Sequence, residues 1–151
     1  MLRSTLLFIH VTSAMSMVAA LGMEAVALGL FRRATDTAST RAALAAMGAT
    51  RPLAGFGALA LALTGIILAT RYWHWQGAWM GLGLLGLVAI GAVGGALTGR
   101  VVKRLQKDLG GGPNGSPPAD VIPALRKSLI IRTALFIGIV FLMTVKPGTL
   151  P

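Results

Sequence analysis

The residues that could do chemistry in this sequence are four ionisable side chains in or beside apolar stretches: His10, Glu24, His74 and Arg132. An ionisable group inside a membrane is costly, and it usually marks a pathway, a ligand site or a buried pair. His10 and Glu24 lie fourteen residues apart in one apolar stretch. A helix with about 100° per residue places them within about 40° of each other. Because lipid offers no partner to such a face, we expect it to turn towards other helices.

The two histidines of the chain, His10 and His74, could together hold a cofactor. His10 lies roughly two turns into the first apolar stretch, and His74 lies in a short polar turn between the second and third stretches. Imidazole nitrogens are common ligands of haem iron and of transition metals. The sequence therefore suggests a site for haem b or copper at His10 and His74, shielded by the aromatic residues of 72–79. The alternative is an interfacial His74 within an aromatic belt, with His10 bonded to a neighbouring helix.

Glu24 and Arg132 are predicted to form a polar pair inside the membrane. Glu24 lies about 12 Å from Arg32 along a helix axis that rises 1.5 Å per residue. Arg132 is the basic residue at a comparable depth, near the start of the fourth apolar stretch. Two alternatives remain open for Glu24. It could be a protonated carboxyl group bonded to a carbonyl or hydroxyl oxygen, or it could serve a proton or cation relay.

The elements that must position these residues are transmembrane helices. Of the 151 residues 55% are hydrophobic and 12% are charged, which is about half the charge of a soluble domain. Four stretches are apolar enough to approach the ~20 residues that a bilayer span requires: residues 4–31, 52–70, 78–98 and 129–145. We expect a single all-α domain over residues 1–151, built as a four-transmembrane-helix bundle.

The connections are expected to be less regular than the spans. Residues 34–50 are rich in Ala and Thr and predict at most a short surface helix at 42–47, with Thr40 as a helix cap. Residues 101–109 should continue the third helix past the membrane surface. Residues 110–118 are dominated by Gly and Pro, which predicts a flexible cytoplasmic linker.

Basic residues predict the orientation of the bundle. Four lie in the first connection and seven in or beside the third, against one in the second and two at the ends. Because cytoplasmic connections carry the excess of Lys and Arg, both termini should face outward in a bacterial-type inner membrane. The net charge of +10 then serves orientation and contact with the lipid bilayer. Nucleic acid is not an expected partner, because no recognised binding motif accompanies the charge.

A stripe of glycines on the third span, Gly91, Gly95 and Gly99, has the four-residue spacing that lets membrane helices approach closely. The spacing predicts a helix-packing face. It leaves open whether this face packs within the bundle, in a homo-oligomer or in a larger membrane complex.

The first span resembles a known family. Its Leu7-Phe8-Ile9-His10-Val11, followed by small residues and Gly22, is similar to the opening helix of the copper-resistance-protein-D-like superfamily. The ending Phe141-Leu142-Met143-Thr144-Val145-Lys146-Pro147 looks like that of four-helix bacterial integral membrane proteins within or near it. The resemblance implies copper uptake or haem-linked chemistry, with His10 at the position of a first-helix ligand. The Met-rich or multi-histidine copper sites expected of a transporter are absent from the sequence.

No motif for nucleophilic catalysis, paired acid–base carboxylates or dinucleotide binding occurs in the chain, and it has no cysteine. We therefore expect a protein that is not an enzyme, and that is a small haem- or metal-binding unit or an accessory subunit. One alternative is a transporter or channel component that uses Glu24. Another is a structural subunit of a larger complex.

Overall fold

The computed structural model describes residues 1–75, 77–108 and 118–145. The linker predicted at residues 110–118 lies, apart from Pro118, outside this part of the chain. The described residues form five α-helices, with π-helical turns at Ala69–Trp73 after α2 and at Gly94–Gly99 between α3 and α4. The helices are α1 (Leu2–Arg33), α2 (Thr37–Leu68), α3 (Ala78–Val93), α4 (Arg100–Asp108) and α5 (Val121–Val145).

The predicted all-α bundle with four helices long enough to span a membrane is confirmed. Within the described residues, four helical segments are long and apolar enough to cross a bilayer: Leu2–Arg33, Thr37–Trp73, Ala78–Lys107 and Val121–Val145. Large apolar side chains point outward from these segments, as Phe8, Phe56 and Leu85 do at 71%, 74% and 66% exposure. Such a surface fits lipid and not water. The chain is therefore a multi-pass membrane protein.

The two ends of the bundle differ in character. We call the end that holds the start of α1, residues 72–75 and residues 77–80 the aromatic end, and the end that holds Arg32, Arg33 and α4 the basic end. Among the described residues the tryptophans all lie at the aromatic end, whereas α4 exposes Arg100, Lys103 and Lys107.

The first connection is shorter than predicted, because α2 begins at Thr37 and passes through Pro52. Its N-cap is Asp36, which accepts a hydrogen bond of 2.7 Å from the Ser39 amide, and not Thr40, which is buried. The Ser39 hydroxyl and amide lower the pKa of Asp36 because they stabilise its carboxylate. The helix that carries the second span therefore begins before the predicted residue 52, and the expectation of a separate short helix at 42–47 is wrong. Both belong to one helix of 32 residues.

This early start of α2 is explained by a core at the basic end. Residues 37–51 add about 22 Å of helix by rise alone, beyond the apolar stretch predicted for this span. Their buried side chains pack with the end of α1, with α4 and with the start of α5. The core comprises Ala27, Leu28, Phe31, Ala43, Met47, Val102, Leu105, Val121 and Leu125. The apolar face of α4 is thus used by the bundle, and its basic face remains exposed.

Contacts between α3 and α5 involve glycines other than the predicted stripe. A Cβ added at Gly86 would lie 2.8 Å from Ile139 Cγ1, and one added at Gly83 would clash with Met143 Cε. At Gly91 and Gly95 an added Cβ meets nothing within 4 Å, and at Gly99 it meets only the Gly94 carbonyl. The stripe is therefore not a packing face inside the described bundle. Its use between copies or in a complex stays a prediction.

The orientation of the bundle stays a prediction, which thiol labelling of this cysteine-free chain can test. Thr35 and Ala119 are exposed at the basic end, and Leu2 is exposed at the aromatic end. In intact cells an impermeant maleimide should label cysteines placed at Leu2 and at Gln76, between the second and third spans in sequence. It should miss Thr35→Cys and Ala119→Cys until the cells are permeabilised. The reverse pattern would show that the basic end faces outward.

Candidate ligand cavity and buried ion pair

The structure brings Glu24 and Arg132 together in the middle of the bundle. Arg132 Nη1 donates to Glu24 Oε1 at 3.0 Å, and Arg132 Nη2 donates to Glu24 Oε2. Both side chains are buried, with 9% and 8% of their side-chain areas exposed. A bidentate pair of this kind satisfies both carboxylate oxygens and fixes the guanidinium plane. The pair therefore links α1 to α5 through an ion pair with two hydrogen bonds.

A second set of polar groups positions Arg132 from the other side. Thr98 Oγ1 lies 3.4 Å from Arg132 Nη2 and 2.9 Å from Ser128 Oγ. The Arg132 Nε–H donates to the Ser128 carbonyl oxygen at 3.4 Å. A Cβ added at Gly94 would lie 3.5 Å from Arg132 Cδ and Nη1. The π-helical turn Gly94–Gly99 thus supplies room for the guanidinium at its start and a hydroxyl partner near its end.

The aromatic end contains a cavity of about 570 Å³ between the helices. This volume is typical of small-molecule and cofactor sites. Apolar and aromatic side chains form most of its wall. Trp73, Trp75 and Trp79 are part of this wall, and Arg3 and His10 are polar residues that also line the cavity. Trp73 and Trp79 pack edge to face, with ring centroids 5.9 Å apart and planes at 70°.

Hydrogen bonds to α2 assign the tautomer of His10, which is half-buried. His10 Nδ1 lies 3.0 Å from Thr64 Oγ1, and this hydroxyl donates its hydrogen to the Ala60 carbonyl at 2.6 Å. Thr64 Oγ1 is therefore the acceptor, and His10 Nδ1–H is the donor. Because the proton resides on Nδ1, Nε2 keeps a lone pair that can bind a metal or accept a hydrogen bond.

Gly65 makes room for this arrangement. A Cβ at position 65 would lie 3.2 Å from His10 Cε1, which is too close for an unstrained side-chain contact. A side chain at position 65 would therefore require the imidazole to shift by a few tenths of an ångström.

His74 does not share the position of His10. It is exposed and has a left-handed backbone with φ of 45° in the turn that ends the π-helical segment Ala69–Trp73. Within the described residues it is not among the side chains that line the cavity. The structure therefore places His10 in the cavity lining and leaves His74 exposed outside it. No group of three or more His, Cys, Asp or Glu in the described ranges could hold a metal ion.

Three further residues of these sites, Thr64, Thr98 and Ser128, were not selected from the sequence. Thr64 and Thr98 lie on different helical segments from the ionisable groups they contact, so only the register between helices reveals those contacts. Ser128 lies one turn before Arg132 on α5, a spacing that was visible in the sequence. Arg3 was also missed. Its spacing of seven residues from His10 does put both on one helical face, and this signal was available.

No protein-family model matches the chain, and comparisons with curated proteins and with solved structures likewise gave no match. The two sites are therefore interpreted from their own geometry.

Proposed function

We propose that the protein is a non-enzymatic membrane protein that binds haem b in the aromatic-end cavity, with His10 as an axial ligand. The observation that carries the proposal is the hydrogen bond from His10 Nδ1 to Thr64 Oγ1. A ligating histidine usually donates its other ring N–H to an acceptor, which orients the ring and raises the basicity of the free nitrogen. His10 has this arrangement with Thr64, and its Nε2 would be the nitrogen that binds the iron.

The walls of the cavity also suit a flat apolar macrocycle. Trp73, Trp75 and Trp79 supply large aromatic surfaces beside His10, and such surfaces bury large apolar ligands well. Bound haem would supply one-electron redox chemistry. The chain's own residues would bind it, orient His10 and exclude water. The resemblance to the copper-resistance-protein-D-like superfamily agrees with this proposal.

The proposal predicts an intense Soret band in protein purified from cells supplied with haem. His10→Ala should abolish the band or shift it strongly, because the axial ligand is removed. Thr64→Val keeps the shape of the side chain but removes the acceptor. We therefore expect the Soret band to remain, with haem affinity lowered about tenfold or more. The matched control is His74→Ala, which should leave the spectrum unchanged. A colourless protein from haem-supplied cells would disprove the proposal.

Copper is the second candidate for the same cavity. The thioethers of Met15, Met80 and Met143 line it together with His10, and thioether and imidazole ligands suit copper(I). Elemental analysis of the same preparation separates the candidates, since a copper protein would be colourless and would contain stoichiometric copper that His10→Ala removes.

The alternatives based on other residues have weaker support. A transporter that uses Glu24 would need this carboxylate to exchange its partner, whereas both of its oxygens are engaged by Arg132. A structural subunit would use an exposed face such as that of Gly91 and Gly95. This alternative does not exclude a ligand in the cavity.

A further inference from the structure

The cavity at the aromatic end has a single formally charged side chain among its described lining residues, Arg3. Arg3 Cζ lies 5.9 Å from the centroid of the Tyr72 ring, within the distance at which a guanidinium is attracted to an aromatic face. Tyr72 belongs to the π-helical segment Ala69–Trp73. The contact therefore ties the first turn of α1 to the end of the second span and holds the guanidinium beside the cavity.

Arg3 and His10 provide polar groups at two different depths in a cavity that is otherwise mostly apolar. They lie seven residues apart, which places them within about 20° on one face of α1 and about 10 Å apart along its axis. Both line the cavity. The positive charge therefore lies at the end of the bundle, and the imidazole lies two turns deeper.

We propose that the cavity selects amphiphiles that carry a carboxylate at one edge of an apolar body, and that Arg3 binds this carboxylate. The planar fork of a guanidinium matches a carboxylate in two parallel hydrogen bonds. No acidic side chain lines the cavity in the described part of the chain, so nothing inside it competes for Arg3. The inference rests on the proposed ligand cavity but not on iron. Haem with its propionates and a free fatty acid are two sources of the same chemistry.

The tryptophans provide the measurement, because all three of the chain line the cavity. The protein in phosphatidylcholine nanodiscs would be titrated with two acids, metal-free protoporphyrin IX and a brominated stearic acid. Each acid would be paired with its methyl ester. Saturable quenching of tryptophan fluorescence by an acid, with weaker quenching by its ester, is the expected result. Quenching by the porphyrin alone assigns the haem source, and quenching by the stearic acid alone assigns the lipid source.

Arg3→Gln should weaken binding of the acid about three- to tenfold and leave binding of the ester unchanged. The control is Arg71→Gln, which removes the same charge from the same end at an exposed residue outside the cavity lining. It should bind like the parent protein. An ester that binds as tightly as its acid, an equal loss in both variants, or no saturable quenching by either acid would overturn the proposal. Since neither probe contains iron, the result is independent of the Soret measurement.

Discussion

Replacing Arg132 with methionine should lower the free energy of unfolding by about 3–5 kcal/mol, the loss expected when one partner of a buried ion pair is removed. The reason is the carboxylate that remains. Glu24 is 7% exposed and would remain buried without the two guanidinium donors. Glu24→Gln should have an effect of similar size, because it leaves the Arg132 guanidinium uncompensated. Both are measured as shifts in reversible unfolding in detergent micelles.

The control uses an arginine–carboxylate pair on the surface of the protein. Arg104 Nη1 and Asp120 Oδ2 are 2.8 Å apart, with side chains 59% and 65% exposed. Solvent screens such a pair, so Arg104→Met should change stability by at most about 1 kcal/mol.

The double variant Glu24→Gln with Arg132→Met separates direct contact from two independent losses. Because neither charge is then left alone, the double variant should recover part of the stability lost in the single variants. Losses that simply add would show that the two side chains do not interact.

Replacing Phe31 with alanine should lower the free energy of unfolding by about 3–5 kcal/mol, the usual range for a buried aromatic side chain. Phe31 is 1% exposed in the core at the basic end, where α1, α2, α4 and α5 meet. Loss of its ring would leave a cavity among helix ends that hold one another in place. We expect residues 37–51 to lose helical order first, since packing supports their helix more than sequence preference does.

The matched control for this substitution is Phe56→Ala. Phe56 is 74% exposed on the apolar surface of the second span, so its removal leaves no internal cavity and should change stability by no more than about 0.5 kcal/mol. Equal losses in the two variants would contradict a packed core at the basic end. Hydrogen exchange of residues 37–51 in the Phe31 variant would show where the helix opens.

The spans could be predicted from the sequence because their apolar length is set by the bilayer and is local to each segment. The start of α2 at Thr37 could not. Residues 37–51 carry no long apolar run, and their helix depends on partners from α4 and α5 that are distant in sequence. The apolar stretch that marked the second span begins only at Pro52. In the structure α2 is already helical before Pro52 and continues through it.

Some features of the two sites could likewise be predicted from the sequence, and others could not. The depth of Glu24 and Arg132 follows from counting helical rise, so their pairing could be anticipated. The rotation of α3 could not, because glycine spacing shows which residues share a face but not where that face points. Here the rotation places Gly94 against Arg132, while Gly83 and Gly86 meet α5. The Gly91 and Gly95 stripe then points away from the bundle. The Thr64 partner of His10 likewise depends on the register of α1 against α2.

The separation of the ion pair in the chain has a consequence for biosynthesis. Glu24 and Arg132 are 108 residues apart, so at roughly 5–20 residues per second about 5–20 seconds pass between their synthesis. The hairpin of α1 and α2 can enter the membrane first, and until α5 follows, its Glu24 carboxyl group lacks the Arg132 partner. Placement of α5 at the correct depth ends this interval. Insertion of α5 therefore completes the pair, and a chain that stops before α5 would leave a costly unpaired carboxyl group inside the membrane.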